Sequence, residues 1–158
     1  MSLVPFIRDV AGADSVTIED GDLLTGGAIQ ENRALTVTIQ GGAFEGSHDL
    51  VLRAEATATI AESRPLQQQF ALLKAAKAAG VITPKPLWHC SDASVTGKPF
   101  YLMSRISGTA LGNQVTRSGA QPALAETLAK ELTRIHSIRP PSPDLDFLGA
   151  IRQTPAGV

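Results

Sequence analysis

Cysteine is nearly absent: Cys90 is the only one in 158 residues, so no disulfide can form within the chain. A lone thiol fits a reducing compartment, and a cytoplasmic location is the expectation. Neither sign of charge dominates. Fourteen Lys and Arg against 15 Asp and Glu leave a formal net charge of −1, which gives no electrostatic reason to expect nucleic acid or an anionic membrane as partner. No apolar run approaches about 18 residues, the length that spans a bilayer. The start, Met1-Ser2-Leu3-Val4-Pro5, lacks the basic residues and unbroken apolar stretch of a signal peptide. Internal repeats and low-complexity tracts are missing as well. What remains is the composition of a soluble globular protein, 43% hydrophobic and 18% charged. Its length allows one domain, or a small lobe with part of a second.

The front half patterns as strands. Val16 and Ile18 open a run to Leu24, before the Gly26-Gly27 pair. Leu35, Val37 and Ile39 then alternate with Ala34, Thr36 and Thr38, the period of a half-buried strand. After Gly41, Gly42 and Gly46 comes Leu50-Val51-Leu52-Arg53, so three strands joined by glycine turns predict an antiparallel meander. The period then changes. Leu66, Phe70, Leu73 and Ala76 share one helical face, with Pro65 suited to the first turn and Gly80 to the end. Pro86 to Cys90 and Phe100 to Met103 predict two further strands. A second helix, with Pro122 in its first turn, carries the stripe Leu124, Leu128, Leu132 and Ile135 and must bury one side. The tail after Arg139 reads as loop, anchored by Phe147, Leu148 and Ile151. This order is α+β.

Three stretches can carry chemistry. Gly26-Gly27 allows backbone N–H groups to approach an anion, although a plain hairpin turn explains an isolated Gly-Gly as well. It is no Walker A loop, because Gly-Lys-Ser/Thr does not follow. Arg53 shares a strand face with Val51; if Leu50 and Leu52 pack into the core, Arg53 lies over the opposite face, where a phosphate could sit. By itself an arginine at a strand end is a solvated charge. Phe100-Tyr101-Leu102-Met103-Ser104-Arg105-Ile106 is an apolar strand running into a polar segment, which suits plain packing or a hinge that reads an adenine edge. Elsewhere, His89-Cys90 with Asp92 lacks metal-ligand spacing, and no motif supports Cys90 with His48 or His89 as a nucleophile pair. Lys74, Lys77 and Lys130 are expected to be solvated.

In this order and at these spacings the stretches resemble the aminoglycoside phosphotransferase and choline kinase-like superfamily, which shares the protein-kinase fold. The resemblance is nearest to a bacterial branch related to acyl-CoA dehydrogenase-associated phosphotransferase domains. The residues that carry it are Leu24 through Asn32, Leu50 through Arg53, Gln69 through Lys74, Gly80 through Pro84, Val95 through Gly108, and Leu132-Thr133-Arg134-Ile135-His136-Ser137-Ile138. The resemblance implies a kinase-like N-lobe over residues 1–107, a five-stranded antiparallel sheet with one packed helix. Residues 108–158 would then be a hinge and the first helix of a truncated C-lobe. It implies ATP with magnesium as cofactors and a small-molecule hydroxyl as acceptor. Gly26, Gly27, Ala28, Ile29 and Gln30 would cover the phosphates, Arg53 would bind them, and Val51 and Met103 would flank the base. The Ser104 carbonyl and Ile106 amide would bond its edge.

Two departures stand out. The family's helix glutamate, partner of the strand cation, is replaced by Gln69. A neutral amide can still accept from Arg53, in a bond to a charged group worth about 1.5–3 kcal/mol, but the ion pair is lost; Glu55 or Glu62 could substitute. The second departure is that no His-Gly-Asp occurs. Phosphoryl transfer needs an aspartate to orient the acceptor and carboxylate and asparagine ligands for magnesium, and these are expected from a C-lobe beyond this sequence. His136 reads as structural and Asp144-Leu145-Asp146 as a solvated loop. The expectation is thus an ATP-binding lobe that catalyses nothing alone, with a non-catalytic nucleotide-binding or interaction module as the alternative. Self-association through the Leu124–Ile135 stripe is a further expectation.

Overall fold

The computed structural model describes residues 2–24, 30–55, 63–108, 122–139 and 142–149. In chain order they form α1 (Leu3–Ala11), β1 (Ser15–Leu23), β2 (Gln30–Gln40), β3 (Gly46–Glu55), α2 (Leu66–Ala78), β4 (Pro86–Cys90), β5 (Phe100–Ser104), α3 (Pro122–His136) and a 3-10 turn (Pro143–Leu148). The five strands make one antiparallel sheet in the order β1-β2-β3-β5-β4. This is the α+β, five-stranded arrangement expected from the sequence, and each predicted strand is present.

The register decides which residues meet. Leu35 pairs with Leu50, Arg33 with Leu52, and Leu52 with Leu102. Cross-strand partners share a face, so Leu35, Leu50, Leu52, Ala54, Phe100 and Leu102 line one side of the sheet. These residues are buried and form the core with Ile7 and Ala11 of α1. Here the sequence expectation of a single packed helix is corrected, because α1 covers this face and α2 the other. The signal for α1 lay in Leu3, Phe6, Ile7 and Ala11, at helical spacing between Ser2 and Gly12. Ile7 is fully buried and Phe6 meets Phe100 edge-on, ring centroids 5.2 Å apart. Gly12 ends the helix in the left-handed region, φ 62°, and the β2–β3 turn closes against that end. A Cβ on Gly42 would stand 2.6 Å from the Gly12 carbonyl oxygen, so only glycine fits there.

One other expectation changes. The tail is anchored by Leu145, buried in the 3-10 turn against α2, while Leu148 is exposed. Ile151 lies outside the described residues. The α3 stripe, expected to be partly exposed where its partner surface is missing, has no cover among the described residues. Leu124, Leu128, Leu132 and Ile135 are 38, 61, 53 and 45% exposed. A bond from the Ile82 N–H to Glu131 Oε2 (2.6 Å) ties α3 to the segment after α2.

Packing of α1 is open to direct measurement. Ile7→Ala removes a fully buried side chain and should lower the unfolding free energy by about 2–5 kcal/mol in chemical denaturation. Val10→Ala, on the exposed side of the same helix, should change it by no more than about 0.5 kcal/mol.

Candidate functional site

The opposite face of the sheet is differently made. Asn32 on β2 pairs with Arg53 on β3, Arg53 with Tyr101 on β5, and Tyr101 with His89 on β4. One register step away, Ala34, Val51, Met103 and Pro86 form a parallel row that is apolar throughout. Gln30 lies on the Asn32 face, two residues earlier along β2. A polar row thus runs beside an apolar one across four strands. Val51 is buried and Met103 partly so, while Arg53 is half-buried.

Among the described residues this face holds three buried polar atoms without a hydrogen-bond partner: Gln30 Oε1, Asn32 Oδ1 and Arg53 Nε. Leaving such an atom unpaired costs about 1–3 kcal/mol, more for a charged group. Their clustering on one face marks a place where a polar ligand would restore lost bonds. Tyr101 responds to the same surroundings. Burial raises its phenol above the usual 10.0, and the nearby Arg53 guanidinium partly offsets that rise.

Helix α2 closes the far end of the face. Phe70 lies against both His89 and Tyr101, with ring centroids 5.8 and 5.5 Å away, and burial lowers the His89 pKa. Gln69, one residue before Phe70, donates from Nε2 to the Arg64 carbonyl at 2.7 Å. Among the described residues no hydrogen bond joins it to Arg53. Glu55 ends β3 opposite Gln30, and Glu62 lies outside the described residues.

At the other end, β5 leaves the sheet where Ser104 is held by two bonds. Its N–H donates to the Lys85 carbonyl (2.9 Å), and its Oγ accepts from the Lys85 N–H (2.8 Å). The Arg105 N–H donates to the Asp49 carbonyl at 2.8 Å. Ile106 then projects from the surface, 60% exposed, with no backbone partner for its N–H among the described residues. The register brings Gln30, Val51, Arg53 and Met103 onto one face; Gln69 and Ser104–Ile106 sit at its borders. Gly26, Gly27, Ala28 and Ile29 lie outside the described residues. Asn32, to which the sequence reading gave no role, is the addition. Its signal was alternation with Gln30 and Ala34 along β2.

The remaining candidates take ordinary places. Cys90 is buried, its Sγ 3.7 Å from the Asp92 carbonyl oxygen, and Asp92 accepts from the Ser94 N–H at 2.8 Å. His48 Nε2 lies 2.8 Å from the Phe44 carbonyl oxygen. Asp144 is exposed, with Oδ2 3.7 Å from Lys74 Nζ; Lys130 pairs with Glu126 at 2.6 Å, and Lys77 Nζ donates to the Thr83 carbonyl at 3.3 Å. His136 is exposed in the last turn of α3. A cavity of about 400 Å³ opens on the α1 side of the sheet, away from the three unpaired atoms. Its floor includes Leu35, Leu52 and Ala54, and on its rim Glu31 meets Lys98 (3.2 Å) and Arg33 (3.9 Å). No group of three or more His, Cys, Asp or Glu that could hold a metal occurs among the described residues. Nor is any of their helices long and apolar enough to cross a membrane.

The sheet, with a polar row beside an apolar one on its α2 face, is that of an α+β lobe. The chain belongs to the phosphotransferase enzyme family, whose model matches residues 24–155. It is similar to acyl-CoA dehydrogenase family member 10 of Mus musculus, 33% identical over 105 residues, which is 63% of this chain and 10% of that protein. It is also similar to family member 11 of Pongo abelii, 29% identical over 110 residues, 66% of this chain and 14% of that protein. The human family member 11 is 28% identical over the same length. The chain therefore spans a small part, 10 to 14%, of these curated relatives. Among solved structures, a candidate aminoglycoside phosphotransferase from Ralstonia eutropha aligns with a TM-score of 0.43 and 23% identity, over 68% of this chain and 27% of that one.

Because the chain has one tyrosine, alkaline titration reads Tyr101 alone. Its midpoint should lie above 10.0, and Arg53→Ala should move it further up by removing the cation that favours the phenolate. An unchanged midpoint would show that the two groups are not neighbours.

Proposed function

We propose that the α2 face of the sheet binds ATP, and that the chain is the nucleotide-binding lobe of a phosphotransferase acting on a small-molecule hydroxyl. The observation that carries this reading is the cluster of unpaired Gln30 Oε1, Asn32 Oδ1 and Arg53 Nε beside the apolar row of Ala34, Val51 and Met103. A nucleotide presents that same division, a flat apolar base joined to charged, hydrogen-bonding phosphates. Arg53 would take the phosphates, since a guanidinium offers planar paired donors and keeps its charge at any working pH. Val51 and Met103 would flank the base, and the free Ile106 N–H could donate to its edge. Gly26 through Gln30 would close over the phosphates.

Magnesium, when bound with the nucleotide, would neutralise phosphate charge during transfer. This chain's own part would be to hold and orient the nucleotide. Ligands for the metal and the carboxylate that orients the acceptor would come from a further lobe. The α3 stripe supports such a lobe, because four large apolar side chains on one helix face call for a covering surface. In the 158-residue chain alone a second copy would cover it. The free Cys90 thiol fits a cytoplasmic setting.

Titrating Mg-ATP into the chain by calorimetry tests the central assignment. Arg53→Ala should weaken binding by about 10-fold or more, the scale of one bond to a charged group. Affinity equal to that of the unsubstituted chain would remove Arg53 from the site. For the stripe, sedimentation should show concentration-dependent association that disappears in Leu128→Glu/Leu132→Glu. An unsubstituted chain that stays monomeric at every concentration would rule out the second copy.

A further inference from the structure

Resting on the nucleotide reading above, a second assignment concerns what holds Arg53 in place. The helix residue expected to do so, Gln69, is bonded to the Arg64 carbonyl at 2.7 Å. That bond ties the side chain back to the segment just before α2. It leaves Gln69 engaged with its own helix, away from β3. Arg53, however, has a neighbour on the other side. Asn32 sits directly opposite it in the β2–β3 register, and directly opposed side chains start about 4.5–5.5 Å apart at Cβ.

The two side chains carry complementary unpaired atoms. Asn32 Oδ1 is a buried acceptor without a donor, and Arg53 Nε is a buried donor without an acceptor. Among the described residues the Asn32 amide is otherwise held only by Nδ2 donating to the Gln30 carbonyl at 3.5 Å, the outer limit of a hydrogen bond. A turn of that amide therefore gives up little. Of the other groups on this face, Tyr101 stands opposite Arg53 on β5, and Glu55 lies two residues along β3, opposite Gln30.

We propose that Asn32 is the positioning residue for Arg53, its Oδ1 accepting from the Arg53 Nε–H when phosphates draw the guanidinium into line. The chemistry favours this division. Anchoring through Nε leaves both terminal nitrogens free for a bidentate contact with phosphate oxygens. A neutral amide also fixes the guanidinium without cancelling its charge, which a carboxylate would partly do.

The test is a double-substitution cycle on the full 158-residue chain, using Mg-ATP and adenosine as separate probes in calorimetry. Asn32→Ala should weaken Mg-ATP by about 10-fold while leaving adenosine unchanged, because the lost contact acts through a phosphate-binding group. In the Arg53→Ala background the same substitution should have no further effect. If Asn32→Ala does not fold, Asn32→Leu, similar in shape but without an acceptor, takes its place. Should Arg53→Ala weaken Mg-ATP while Asn32→Ala leaves it untouched, the positioning role is overturned and the nucleotide site stands. Equal losses in both backgrounds would make Asn32 a direct ligand contact and also overturn it. If Mg-ATP fails to bind, or Arg53→Ala changes nothing, the nucleotide reading falls and this assignment with it.

Discussion

Strand β3 is covered on both sides, and the rest of the lobe follows from that constraint. Leu50, Leu52 and Ala54 face α1, Val51 faces the other way, and all four are buried. A strand enclosed on two faces cannot alternate apolar with polar as a surface strand does, so it reads as a nearly continuous apolar run. Arg53 breaks that run. Its position in the ladder, between Asn32 and Tyr101, leaves its Nε buried without a partner among the described residues. Helix α1 packs on the Leu50 side of the sheet, and α2 lies on the other. Because α2 packs mainly over β4 and β5, it borders the Arg53 row instead of filling it.

What the sequence showed clearly were features with a period. Alternation in β2 and the 3.6-residue spacing in α2 and α3 each repeat often enough to stand out. Helix α1 did not, for a physical reason. It has nine residues, with Pro5 in its first turn, and carries only four core contacts' worth of pattern in Leu3, Phe6, Ile7 and Ala11. So short a helix owes its stability to the sheet it covers, which local sequence does not display. Leu145 is similar: one buried side chain in a six-residue 3-10 turn has no period at all.

The candidate site divides along the same line. Val51, Arg53 and Met103 were legible because their positions follow from strand alternation and from the resemblance to a family. Asn32 was not. Nothing in an isolated asparagine tells whether its amide will be solvated, capped or buried opposite a cation. That depends on pairing with a strand some twenty residues away, and the β2–β3 register supplies it. Gln69 shows the reverse case. The family resemblance put it, with Glu55 or Glu62 as alternatives, at the place of Arg53's partner, but the segment just before α2 offers it a nearer carbonyl at Arg64. Local bonds of this kind compete well because they order few additional groups.

The two faces of the sheet settle their charges in opposite ways, and this gives the functional reading its weight. On the α1 side, Glu31, at the rim of the cavity there, is met by Lys98 and by Arg33. On the α2 side, a guanidinium nitrogen and two amide oxygens are buried without partners, within two residues of one another along β2 and across one ladder step. Each such atom costs stability, because it has given up water without gaining a partner. A fold tolerates local conflict of this sort where function requires it. On the proposed nucleotide reading, the polar row would be one half of a set of hydrogen bonds, with the other half supplied by the ligand.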